Sequence, residues 1–188
     1  PSPEEGFLAR LAHCLTGGAE LVQLRAPELN QKRVDEVAKA ALSLCHDYGA
    51  TLLVNTTPDQ ATAWGTGGVH LSSSRLMQLA TRSLPAELLL GASCHSASEL
   101  RHAEVIGCDF AVLGPVKVTA SHPETRPLGW PAFEELVNHC CLPVYALGGM
   151  RPSDLSVARD AGAQGLAMIS GIWDAPDPTA AVAAVTTG

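Results

Sequence analysis

Two glycine-bearing turns late in the chain carry the sharpest chemical signal. Leu147-Gly148-Gly149-Met150 runs into Arg151-Pro152-Ser153-Asp154, and Ala167-Met168-Ile169-Ser170-Gly171 comes next. Glycine lets backbone approach a ligand closely and leaves the N–H groups uncovered. A short helix starting after each turn adds the positive end of its dipole, and the pair together suits a phosphate dianion. One such turn alone would read as a tight bend at positive φ; the repetition is what favours phosphate.

Histidine is the side chain suited to moving protons near neutral pH. His95 and His122 are the two candidates for a catalytic base, and each is also an ordinary capping or surface residue by type. His70, inside an apolar run, reads as structural. Lys117 reads either as a charge offered to a phosphate or as a solvated loop lysine. The six cysteines, Cys14, Cys45, Cys94, Cys108, Cys140 and Cys141, show no CxxC spacing. They read as buried reduced thiols rather than as a zinc site built on His139, Cys140 and Cys141.

The elements that must position these residues alternate in period. Apolar, β-rich runs recur at Leu21–Arg25, Thr51–Asn55, Gly68–Leu71, Leu88–Ser93, Phe110–Leu113, Pro143–Leu147 and Gly165–Ser170. Each is too short for a buried helix and is closed by a turn-forming residue. Between them lie helical stripes. Phe7, Leu8, Leu11 and Leu15 form one, stopped by Gly17-Gly18. Val34, Val37, Ala41, Leu44 and Tyr48 form another, ended by Gly49. Ser96 suits an N-cap with Glu99 at the capping-box position, and Pro131 and Pro152 suit first helical turns.

This alternation predicts an α/β fold with a parallel sheet covered by helices. A (β/α)8 TIM barrel fits best, with the first strand missing from this chain: a strand before Pro1 would complete the set. Residues 1–188 read as one barrel domain. An open doubly wound sheet is the alternative. In a barrel, functional groups gather at the C-terminal ends of strands. Those ends here carry Gln23 with Arg25, then Asn55, His70, Ser93 with His95, Gly114, Gly148-Gly149 and Ser170-Gly171.

Composition narrows the partners. Hydrophobic residues make up 46% of the 188, enough for a sizeable core, and the formal net charge is −7. An acidic chain is a poor match for nucleic acid or for an anionic membrane. No apolar run is long enough to span a bilayer and no signal segment opens the chain, so a cytoplasmic location is expected. Oligomeric state is left open, a homo-oligomer included.

At the quoted segments the sequence resembles the thiamine phosphate synthase and thiazole tautomerase superfamily. The likeness runs through Val22-Gln23-Leu24-Arg25, Val54-Asn55, Gly68-Val69-His70-Leu71, Ser93-Cys94-His95-Ser96, Gly107–Val116 and the two late glycine turns. It implies a (β/α)8 barrel and ligands from thiamine biosynthesis, a phosphorylated thiazole or pyrimidine. The synthase joins a pyrimidine diphosphate to a thiazole phosphate, with pyrophosphate leaving and Mg2+ neutralising its charge. By position, the resemblance implies that Gln23 and Arg25 contact the diphosphate and pyrimidine region and Asn55 a phosphate oxygen. Ser93 would line the mouth and Thr119 the thiazole phosphate side. Gly148, Gly149, Ser170 and Gly171 would bind that phosphate.

Several positions depart from the synthase pattern. Asn55-Thr56 replaces Asn-Asp, and Ser72-Ser73-Ser74-Arg75 puts Arg75 where a metal-binding acid belongs. The two family lysines fall on Pro27 and His122, and the tautomerase histidine falls on Pro115. The hard oxygen ligands that Mg2+ prefers are therefore missing. Asp59 lies nearby but reads as a helix N-terminal acid. No metal site is expected, and Mg2+ would bind only if other ligands supplied it. The expectation is a synthase-like transferase or a thiazole phosphate isomerase with His122 or His95 as base. One alternative is a ligand-sensing or partner module attached to an upstream Nudix hydrolase; another is an unrelated phosphate-sugar barrel enzyme.

Overall fold

A computed structural model of the chain describes residues 3–26, 28–119 and 124–186. Seven strands alternate with helices: β1 (Leu21–Leu24), β2 (Thr51–Val54), β3 (Gly68–Leu71), β4 (Leu89–Cys94), β5 (Phe110–Leu113), β6 (Val144–Leu147) and β7 (Gly165–Ala167). The helices are α1 (Pro3–Thr16), α2 (Gln31–Asp47), α3 (Pro58–Trp64), α4 (Ser73–Leu76), α5 (Ala97–Val105), α6 (Gly129–Val137), α7 (Leu155–Asp160), α8 (Ser170–Trp173) and α9 (Pro178–Thr186). The expected strands coincide with these to within one residue, apart from the last. There the strand stops at Ala167 and Ser170 already opens α8.

The chain groups into two compact units. One comprises Pro1–His70, Leu84–Leu89 and Pro176–Gly188, the other Leu71–Ser83 and Leu90–Ala175. In the first, β1 pairs with β2 and β2 with β3, all parallel. In the second, β4, β5, β6 and β7 pair in that order, again parallel. Strand order is sequence order within each unit. A doubly wound sheet would reverse its order at a switch point, and neither unit does.

The first unit shows how local sequence sets element ends. Asn30 caps α2 through its side chain, which accepts from the Arg33 N–H. Thr57 does the same for α3, with Asp59 in its first turn as expected. The buried face of α2 is Val37, Ala38, Ala41 and Cys45. The expected stripe drifts at its end: Cys45, not Leu44, meets the core, and Tyr48 is an exposed cap. The helix α1 ends where Gly18 takes φ 94°. A Cβ on Gly17 would lie 2.5 Å from the Thr179 carbonyl oxygen, so α9 packs directly on this turn.

The second unit buries β5 completely, as a parallel strand flanked on both faces should be. Phe110 and Tyr145 meet edge to face with ring centroids 5.8 Å apart, joining β5 to β6. Asp109 accepts from the Leu90 N–H at 2.7 Å and pairs with Arg82 at 3.0 Å, tying the entry ends of β4 and β5 together. Ser96 caps α5, and Glu99 reaches back to the His95 N–H rather than to that of Ser96.

The cysteines divide by depth. Cys14, Cys45, Cys94 and Cys108 are buried, but Cys140 is half-buried and Cys141 exposed, because both lie in the turn before β6. The reading of all six as buried thiols is corrected at these two.

Candidate functional site

In the first unit Gln23 lies inside β1, in register with Leu53, and Arg25 follows the strand; both are exposed. Gln23 is thus the penultimate residue of β1, with Arg25 just beyond its end. Asn55 is half-buried, and its backbone N–H donates to the Leu24 carbonyl at 3.1 Å. The register of the two strands thus brings Arg25 and Asn55 to adjoining exits. His70 is buried within β3, and desolvation pushes its pKa down to about 4. A neutral imidazole closed off from solvent suits packing and not catalysis.

In the second unit four successive strand exits touch. His95, just after β4, meets the carbonyl of Gly114 through Nδ1 at 2.5 Å. Gly114 itself follows β5, and its N–H donates to the Cys94 carbonyl. The segment beyond it then lies along the exit of β6. Val116 N–H donates to the Leu147 carbonyl at 2.8 Å and Lys117 N–H to that of Gly148 at 3.0 Å. Only glycine fits there. A Cβ on Gly114 would come within 2.2 Å of the Leu147 carbonyl oxygen, and one on Gly148 within 2.5 Å of the Pro115 Cβ.

The two late glycine turns pack on each other. Gly148 and Gly149 take φ of 96° and 66°, the left-handed region that favours glycine. A Cβ on Gly171 would lie 2.2 Å from the Met150 carbonyl oxygen, so the turn after β7 packs on the turn after β6. Ser170 is exposed at the start of α8, whose first N–H groups lack intrahelical acceptors. Pro152 opens a 3-10 turn after Arg151, matching its expected place in a first helical turn.

Ser93 is half-buried in β4 opposite Val112, and Thr119 is half-buried at the end of the described loop. His122 lies outside the described residues. Lys117 has a partner that neither sequence-based reading named. Its ammonium, on a side chain 42% exposed, lies 2.6 Å from Asp154 Oδ1. Asp154 went unremarked as a functional group in the sequence, where it stands as one more polar residue after a turn.

The donors do not fit magnesium. The exits of β2 and β3 carry Asn55-Thr56 and Ser72-Ser73-Ser74-Arg75, with neutral or cationic side chains where Mg2+ needs carboxylate oxygens. Among the described residues no three His, Cys, Asp or Glu side chains gather as a metal site, the His139, Cys140 and Cys141 group included. Nor is any described helix long and apolar enough to cross a membrane.

A parallel α/β architecture with glycine turns at its last two strand exits is that of a barrel-type protein, the fold class that commonly places a phosphate there. The sequence profile described as thiamine monophosphate synthase matches residues 2–172, and the chain belongs to that family. It is 36% identical over 166 residues to the putative thiamine-phosphate synthase 2 of Aquifex aeolicus, covering 88% of this chain and 89% of that one. It is 38% identical over 167 residues to the thiamine-phosphate synthase of Prochlorococcus marinus (strain MIT 9313), where it spans 88% of this chain but only 47% of the relative. The chain thus spans about half the length of some curated relatives and most of others. The structure of thiamine phosphate pyrophosphorylase from Pyrococcus furiosus superposes with a TM-score of 0.81 at 26% identity, covering 96% of this chain and 87% of that one. That match bears out the barrel-type fold.

Proposed function

We propose that this chain is a thiamine-phosphate-synthase-type domain that takes a phosphorylated thiazole at the corner formed by Gly148, Gly149, Ser170 and Gly171. The observation that supports the reading is the packing of Gly171 on the Met150 carbonyl, which brings the turn after β7 against the turn after β6. Family membership and the named relatives support it. Gln23, Arg25 and Asn55, the last two at adjoining exits, are the groups for a pyrimidine diphosphate; Ser93 lines the mouth of its own strand, and Thr119 serves the thiazole phosphate. The reaction would join the two heterocycles as the bond to the leaving pyrophosphate breaks. With Asn55-Thr56 offering no carboxylate to Mg2+ beside it, Arg25 is the group left to meet the charge on that leaving group.

Calorimetry with thiazole phosphate tests the corner. Binding by the native protein and none by Gly149→Val is expected, because the new side chain would meet the Val118 carbonyl; equal binding by both rules the corner out. Turnover with both half-substrates, with and without Mg2+, tests the reaction. Rates rising more than tenfold with Mg2+ would contradict the role given to Arg25.

A second reading, a thiazole phosphate isomerase, rests on His95. Its Nδ1 faces a carbonyl, which only accepts, so Nδ1 carries the proton and Nε2 keeps a free lone pair as a base. Loss of proton exchange in His95→Ala with phosphate binding retained is the expected result. The reading of this chain as a partner module on a Nudix hydrolase gains no support from the relatives named above.

A further inference from the structure

Asp154 has both carboxylate oxygens engaged by the segments on either side of the phosphate corner. Oδ2 accepts from the Arg151 N–H at 2.9 Å, capping the 3-10 turn that follows Gly148-Gly149. Oδ1 meets the Lys117 ammonium at 2.6 Å, across 37 residues of chain. The Asp154 side chain is only 11% exposed, whereas that of Lys117 is 42% exposed. Lys117 is tied to the same turn a second time by its backbone, whose N–H donates to the Gly148 carbonyl. Its Cβ and the Val118 carbonyl also occupy the space a Gly149 side chain would need, at 2.9 and 2.5 Å.

We infer that Lys117 and Asp154 form a latch that holds the loop after β5 against the Gly148-Gly149 turn and so pre-forms the phosphate corner. This rests on the reading of that corner as a phosphate site. A half-exposed ion pair adds little to global stability, because solvent screens it and the lysine loses rotamer freedom. What such a pair changes is local order. A loop already seated when the anion arrives does not have to be ordered by it, so less of the binding energy is spent. Lys117 is then a positioning residue, its charge satisfied by Asp154 and not by the ligand. A lysine that contacted the phosphate itself would compete with Asp154, and the two arrangements respond oppositely to removing the carboxylate charge.

The test uses inorganic phosphate and calorimetry on the whole chain. Lys117→Met and Asp154→Asn are each expected to weaken binding about threefold to tenfold. The asparagine keeps an oxygen for the Arg151 N–H and loses only the ion pair. The double variant should be no weaker than either single one, since both remove the same interaction, and Lys117→Arg should restore most of the affinity. Tighter binding by Asp154→Asn, or additive losses in the double variant, would overturn the latch in favour of direct contact. Should the native protein bind no phosphate, the corner reading fails by itself, and amide hydrogen exchange still decides the latch. The N–H groups of Val116 and Lys117 should exchange faster in both single variants, with that of Gly114 unchanged; unaltered exchange at all three sinks it.

Discussion

The α-carbon of Gly171 sits so close to Met150 that an added Cβ would lie 2.2 Å from the Met150 carbonyl oxygen. Neither backbone segment can retreat easily, since one begins α8 and the other ends the turn after β6. Gly171→Ala is therefore expected to pry the two turns apart. Phosphate binding should fall at least tenfold, with stability lowered by about 1–3 kcal/mol from overpacking. Calorimetry and urea unfolding read the two effects separately.

His95 and Gly114 offer a check that needs no substrate. The contact between Nδ1 and the Gly114 carbonyl requires the proton on Nδ1. Nitrogen NMR of the neutral imidazole should find the proton on Nδ1 and not on Nε2. A proton on Nε2 would remove His95 as the base of the isomerase reading.

His70 links stability to pH. Burial lowers its pKa to about 4 in the native protein, against about 6.5 in an unfolded chain. Between those values the unfolded chain binds more protons, so stability rises with pH through the window and is lost as pH falls. The full effect is about 3 kcal/mol by the lower end. Urea midpoints at about pH 7 and about pH 5 should differ less for His70→Gln than for the native protein. An equal difference in both would show that His70 titrates normally.

Thiol chemistry reports the packing of the cysteines. Burial raises the Cys94 thiol to about 12 and those of Cys45 and Cys108 to about 11, so thiolate is scarce at all three. Cys141 alone is exposed. A thiol reagent should modify Cys141 first in the native protein and the buried four only on unfolding. Rapid labelling that survives Cys141→Ser would contradict this depth order.

Much of the fold was legible because its signals are local. The runs at Gly68–Leu71 and Phe110–Leu113 coincide with β3 and β5, since buried parallel strands need continuous apolar sequence whatever surrounds them. Caps such as Ser96 were equally plain, a hydroxyl three residues before the N–H it accepts. Less legible was the end of α2, where Cys45 and not Leu44 turned inward. A helix drifts a little with each turn, and only the packed neighbours show which residue lands on the core. Helix α9 left no clear stripe, for its alanine-rich sequence is apolar on every side.

By itself, the order of residues determined the α/β alternation, the family, the pair of glycine turns and the lack of carboxylates after β2 and β3. Each is a matter of residue type at a spacing along the chain. Only the tertiary structure decided that Gly171 rests on Met150, that His95 turns its Nδ1 to Gly114, and that Lys117 spends its charge on Asp154. Those are contacts between residues far apart in sequence, fixed by strand register and by how closely backbones without side chains can approach.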